Sequence, residues 1–322
     1  MKRSLILAVV FVVLLGIYWL VQSGKPVVST ERPFIQADSA KVSGLRIETR
    51  TDTVVLLKQG DNWTLNYPLS FPAAQKTVTS AIEKLKEMKK LTLITDKPER
   101  YTEFQVDSIS GVRVTVDQSG AKSVFVIGKA GPSGSTCYAR LDGSKEVWEI
   151  SGNHLSTFKR AVKDWRDKTI SEFDRESFSK FTLEYPAATI NLTKQDTLWI
   201  ANTGKEQFMA DKGQVDRIIG LLTRMSGVDF ADTLRPDAFD KPALHLIAET
   251  NDGRSLDVRL IPKDAEGNQY FLRKAGAPSD YVIYKSTATV LMKQADEFKG
   301  KPPKPAKPDQ ASLPRLQVDR LG

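Results

Sequence analysis

The sequence predicts an α+β protein: an N-terminal transmembrane helix followed by two similar repeats, each an antiparallel sheet with helices. Three observations predict it. An unbroken apolar run opens the chain, one plan of strands and helices occurs twice at an offset near 135 residues, and strand-like alternation outweighs helical periodicity in both copies.

The apolar run covers Ser4 to Val21, after Met1-Lys2-Arg3 and before Gln22-Ser23-Gly24-Lys25. At about 1.5 Å per residue it spans roughly 27 Å, close to the hydrocarbon thickness of a bilayer. Tyr18 and Trp19 suit the interface, while Lys2 and Arg3 suit the cytoplasmic side. The body then lies outside the cytoplasm. A cleaved signal peptide is the alternative, with Val21 and Ser23 as the small residues before a cut. The run is longer than the usual h-region of roughly 7–15 residues, which favours an uncleaved anchor. Residues 1–25 are therefore read as the anchor, 26–168 as the first repeat, 169–298 as the second and 299–322 as a tail.

In the first copy, Val42 to Glu48 and Thr53 to Lys58 read as strands, Gly60-Asp61 as a turn and Trp63-Thr64-Leu65 as a third strand. Ala74, Val78, Ala81, Ile82, Leu85 and Met88 mark a helix, with Pro72 at its start. Val112 to Val116 and Val124 to Ile127 flank a turn at Ser119-Gly120. Asp142-Gly143 joins Tyr138–Leu141 to Val147–Ile150 as a hairpin. The second copy repeats the plan through Phe181–Glu184, Thr189–Leu192, Leu198–Ile200, a helix from Val215 to Met225, Leu244–Ala248, Leu256–Ile261, Phe271–Arg273 and Tyr281–Tyr284. Trp63 and Trp199 stand 136 positions apart, as do Leu45 and Phe181. Short helices around Leu155-Phe158-Val162 and Val290-Leu291-Ala295-Phe298 end the copies.

The formal net charge of +8 belongs to the ends of the chain. Residues 1–25 carry +3 and residues 299–322 carry +4, which leaves +1 for the body and no support for a nucleic-acid partner. The tail stretch Lys301 to Pro308 is rich in lysine and proline, reads as extended, and serves either as a spacer or as a tether.

Catalytic motifs are absent. Cys137 is the single cysteine, so no disulfide forms within the chain, and it reads as a small half-buried strand residue. His154 and His245 have no partners at metal-ligand spacing and read as structural or incidental, so neither a metal nor a cofactor is expected. Two Ser-x-x-Lys matches, at Ser156/Lys159 and Ser177/Lys180, have no companion motif. Gly128 to Gly134 reads as a wide loop whose amides, with Lys129, would cup an anion; it feeds a strand rather than a helix, which favours a plain connection. Trp165-Arg166-Asp167-Lys168 is the sharpest cluster. Arg166 and Asp167 read either as a recognition surface or as groups closing the boundary where Trp165 packs between the copies.

Trp63-Thr64-Leu65 ahead of Pro72-Ala73, Ile127-Gly128-Lys129 through Tyr138-Ala139-Arg140-Leu141 to Val147-Trp148, and Trp165-Arg166-Asp167-Lys168 leading to Phe173-Asp174 resemble, in order and spacing, the bacterial family known as domain of unknown function 4340. The Gly-Lys…Tyr-x-Arg hairpin and the Arg-Asp-Lys turn carry most of the likeness, which makes Lys129, Arg140, Arg166 and Asp167 the candidate binding residues. The resemblance implies a membrane-anchored envelope protein of the bacterial inner membrane, with a periplasmic or external body. It also implies company with ABC exporters of the gliding-motility type, hence a transporter subunit as partner. The expected function is a non-enzymatic binding or scaffold role. Two alternatives stand beside it: a periplasmic ligand-binding protein with its site between the repeats, and an envelope glycan enzyme using two of the 39 acidic residues.

Overall fold

Each half of the chain builds one nine-stranded antiparallel sheet, and the two sheets have the same strand order. The computed structural model describes residues 32–299; the apolar run at 4–21 and the tail from residue 300 lie outside the described residues. Two compact units divide between Asp167 and Lys168. Among the described residues no helix is long and apolar enough to cross a membrane.

The first unit contains β1 (Val42–Glu48), β2 (Thr53–Gln59), β3 (Asn62–Tyr67), β4 (Phe71–Pro72), α1 (Gln75–Glu87), β5 (Lys90–Thr95), α2 (Tyr101–Phe104), β6 (Val112–Gln118), β7 (Ala121–Ala130), β8 (Thr136–Leu141), β9 (Val147–Ser151) and α3 (Leu155–Phe158). Its sheet runs β4-β3-β2-β1-β6-β7-β8-β9-β5. The second contains β10 (Thr169–Glu172), β11 (Phe178–Tyr185), β12 (Ala188–Gln195), β13 (Leu198–Asn202), β14 (Gln207–Met209), α4 (Lys212–Thr223), β15 (Arg224–Ser226), β16 (Asp229–Phe230), β17 (Leu244–Thr250), β18 (Ser255–Pro262), β19 (Gln269–Lys274), β20 (Tyr281–Tyr284), α5 (Lys285–Leu291) and α6 (Ala295–Phe298). Its sheet runs β14-β13-β12-β11-β17-β18-β19-β20-β16, with β10 and β15 paired separately.

The duplication extends to register. Leu45 faces Leu56 and Ile47 faces Val54; 136 positions later Phe181 faces Leu192 and Leu183 faces Ile190. A bulge interrupts β1 between Val42 and Gly44, and its counterpart interrupts β11 between Phe178 and Lys180. One face of each strand points to a core. Helix α1 buries Val78, Ala81, Ile82 and Leu85, and α4 buries Val215, Ile218, Ile219 and Leu222. Each of the buried Val, Ile and Leu side chains contributes about 1.5–3 kcal/mol of transfer free energy, and Ala81 less. Asp211 caps α4 by accepting the Gln214 N–H at 2.9 Å; α1 has no side-chain cap.

Several local expectations change. Pro72 is not the first residue of the helix but part of the two-residue edge strand β4, where its missing N–H is tolerated. Met88 and Met225 continue the apolar stripes but lie past the helix ends, buried in extended backbone. The stretch at Gly128 is strand as far as Ala130, and the open loop is shorter than expected. Trp165 and Phe298 are both fully buried and have matching backbone tasks: their carbonyls accept the N–H of Ala74 at 2.8 Å and of Asp211 at 2.7 Å, just ahead of α1 and α4. Each unit's last aromatic thus fixes the start of its own long helix.

Candidate functional site

Strand alternation in the second unit turns Leu183, Leu246, Val258 and Leu272 inward and leaves the polar residues between them on the outer face. Pairing then sets Glu184, His245, Arg259 and Arg273 side by side across four strands. His245 is held between two carboxylates, with Nδ1 at 2.7 Å from Glu184 Oε2 and Nε2 at 2.9 Å from Asp257 Oδ1. Ionised carboxylates only accept hydrogen bonds. Both contacts are therefore made at once by a ring that donates from both nitrogens and is a cation, or by one carboxylate that brings the proton itself.

Arg273 anchors the neighbouring segment. It forms a bidentate pair with Asp280 at 2.8 and 2.7 Å, donates to the Pro236 carbonyl at 2.6 Å and stacks 4.3 Å from the ring centroid of buried Phe239. The Asp280 hydrogen bond holds the Arg273 guanidinium above its already high range. With Pro236–Phe239 fixed, a groove of about 640 Å³ opens over the row. Tyr185, Pro186, Phe239 and Pro242 supply apolar walls, and Lys241 and Arg259 supply charge. The Tyr185 hydroxyl donates to the Lys293 carbonyl at 2.7 Å, and burial, reinforced by nearby Glu297, raises its pKa. Lys241 and Arg259 are exposed, and neither forms an ion pair among the described residues.

The first unit fills the equivalent place. Its row reads Glu48, Arg113, Val126 and Arg140. Arg113 pairs with Asp142 at 3.1 and 3.0 Å and lies 3.9 Å from Glu48. Val126 is buried in a small cluster with Phe104, Val106, Tyr138 and Val147. The segment carrying Phe104 lies so close to β7 that a Cβ on Gly128 would collide with the Phe104 carbonyl oxygen. That contact gives the Gly-Lys pair its physical reason.

The four residues singled out from the sequence fall in two places. Lys129 and Arg140 meet at the aromatic cluster, Lys129 Nζ 5.7 Å from the Phe104 centroid and Arg140 4.5 Å from that of Tyr101. Arg140 also donates to the carbonyls of Val106 at 3.4 Å and Ser144 at 3.2 Å, so it holds loops as Arg273 does. Arg166, 3 % exposed, stacks 4.2 Å from the Phe71 centroid and bridges Ala73 through its main chain. The Asp167 N–H donates to the Pro72 carbonyl at 2.8 Å. Arg140 and the main chains of Arg166 and Asp167 thus tie down neighbouring segments of the first unit.

Glu184, Asp257, Lys241 and Arg259 carry no local sequence signal, and His245 reads from sequence as structural or incidental. Overlaying the two copies would have exposed the exchange of Arg113 for His245 and of Val126 for Arg259. His154 is buried with Nε2 2.7 Å from the Ser151 carbonyl, and burial draws its pKa down. Among the described residues no group of three or more His, Cys, Asp or Glu is arranged to hold a metal.

No curated protein and no solved structure matches the chain. The family model described as "Domain of unknown function (DUF4340)" matches residues 63–248, from β3 through Arg113, Val126 and Arg140 of the first unit to Glu184 and His245 in the second. The chain belongs to the DUF4340 family.

Proposed function

We propose that this protein is an extracytoplasmic binding and scaffold component, held to the bacterial inner membrane through residues 4–21, that serves an ABC-type transporter or another envelope assembly. The observation that carries the binding reading is the groove of the second unit: among its described lining residues it offers two uncommitted cations and a single uncommitted carboxylate, Asp240. A glycosidase needs two carboxylates facing a scissile bond, one of them a proton donor. Here Glu184 and Asp257 are both engaged with His245. A nucleophile–histidine pair needs one ring nitrogen turned to the nucleophile, and both nitrogens of His245 face carboxylates. Such a site favours recognition over turnover. The length and flanking residues of the Ser4–Val21 run support the anchor, and the resemblance to companions of exporters supports the partner.

Cross-linking in intact cells, detergent extraction, tag pull-down and mass spectrometry test this reading. The expected result is a full-length chain recovered with transporter membrane and ATPase subunits. Recovery of the chain alone, trimmed near residue 23, would overturn the anchored-accessory role.

A further inference from the structure

We infer that the groove over β11, β17 and β18 is a site for a small organic oxyanion, a carboxylate or phosphate on an apolar body, and that His245 sets its affinity for that charge. This rests on reading the groove as a binding site. Its volume of about 640 Å³ falls within the usual range for small-molecule pockets, roughly 300–1,000 Å³. Arg259 presents a planar fork suited to two oxygens, and Lys241 lines the same groove as a second, mobile charge. Pro186, Pro242 and Tyr185 offer apolar surface for the rest of the ligand.

The first unit supplies the internal comparison. Where Arg259 stands in the open groove, the first unit has Val126, buried under Phe104 and Val106. A cation thus appears at the row position where the covering segment has drawn away. Glu184 and Asp257, which share its face of the sheet, are held by His245, and Asp240, which also lines the groove, forms no ion pair with it among the described residues. In the first unit the place of His245 belongs to Arg113, which keeps its charge at every accessible pH. His245 does not.

The charged groups facing the His245 ring are Glu184 from β11, Asp257 and Arg259 from β18, and Asp240 and Lys241 from the segment before β17. On its own strand Glu249 is paired with Lys180 at 2.7 Å. The ring holds both Glu184 and Asp257, so removing it frees two carboxylates to compete with the ligand for Arg259.

The test uses the full chain in detergent micelles, with phenyl phosphate and phenylacetate as probes and benzyl alcohol as the neutral control. Selective labelling of histidine rings yields two NMR signals, because the chain has two histidines. Both anions should shift the His245 signal saturably and leave that of buried His154 in place. Calorimetry should show about tenfold weaker binding for Arg259→Gln and for Lys241→Gln, the scale of one charge-assisted hydrogen bond. His245→Ala, which releases both carboxylates, should bind the anions more weakly, and His245→Arg, which keeps donors to both, should restore the affinity. Equal binding of benzyl alcohol, full affinity in Arg259→Gln, or full affinity in His245→Ala would each overturn the proposal. Binding of an acidic peptide but of neither small anion would also overturn it, in favour of a peptide partner. Transporter capture in cells is scored separately, so loss of the accessory role and loss of the anion site are distinguishable.

Discussion

Arg113 and His245 hold the same seat in the two sheets. Each lies across the ladder from a glutamate on the neighbouring strand, Glu48 or Glu184. Each also meets a second carboxylate, Asp142 or Asp257. One seat holds a guanidinium and the other an imidazole, and this is the clearest chemical difference between the two rows.

Replacing these residues should have unequal effects on stability. The Arg113–Asp142 pair is about half exposed, and Arg113→Ala should cost about 0.2–1 kcal/mol. The His245 side chain is 16 % exposed, and its loss leaves two facing carboxylates without their shared donor. His245→Ala should cost about 1–3 kcal/mol. Urea unfolding of the two variants checks the order; a larger loss at Arg113 would contradict it.

Cys137 should be chemically silent in the folded protein. It is fully buried, and burial pushes its thiol up to about 11. Iodoacetamide at pH 8 should leave the native chain unmodified and alkylate it promptly in denaturant. Prompt native labelling would show that β8 opens readily.

Acid should weaken the turn after β17 in a defined window. The side-chain hydrogen bond from Thr250, then that from Arg254, hold Asp252 at about 2. A folded value below the unfolded one near 4 means that the contribution is complete above about pH 4 and is lost as pH falls toward 2. The stability gap between wild type and Asp252→Asn should therefore close across that interval, and a gap that stays constant to pH 2 would refute the assignment.

Gly128→Ala should destabilise the first unit by about 1–3 kcal/mol, because the added methyl drives the Phe104 segment off β7. Trp165→Ala should cost about 3–5 kcal/mol, and Phe298→Ala should produce the matching loss in the second unit. Hydrogen exchange localises each effect; for Trp165→Ala, protection should fall first around Ala74 and α1.

The central strands of both sheets were legible because inward and outward residues alternate cleanly, as in Val112 to Val116 and Leu244 to Ala248. The edges were not. In β5, Leu91, Thr92 and Leu93 are all exposed and two bulges break the alternation, so the strand leaves no pattern to read. Strands β4 and β16 have two residues each, too few for any periodicity. The groove was hidden for another reason. Glu184 and Asp257 are 73 positions apart and become neighbours of His245 only through register. Lys129, Arg140, Arg166 and Asp167 were visible because they stand in a recognisable local setting: Lys129 and Arg140 on the paired strands β7 and β8, Arg166 and Asp167 at the end of the first unit.

The position of the first full strand in each unit has a mechanical consequence. β1 is laddered on one side to β2 and on the other to β6, and β11 is likewise enclosed by β12 and β17. A pull along the chain from the N-terminal side first opens a lighter attachment, the Pro33–Lys89 bridge in the first unit and the β10–β15 ladder in the second. It then reaches a strand held by a row of hydrogen bonds on each side, so the long antiparallel ladders at the centre of each sheet should bear the load after the outer contact has given way.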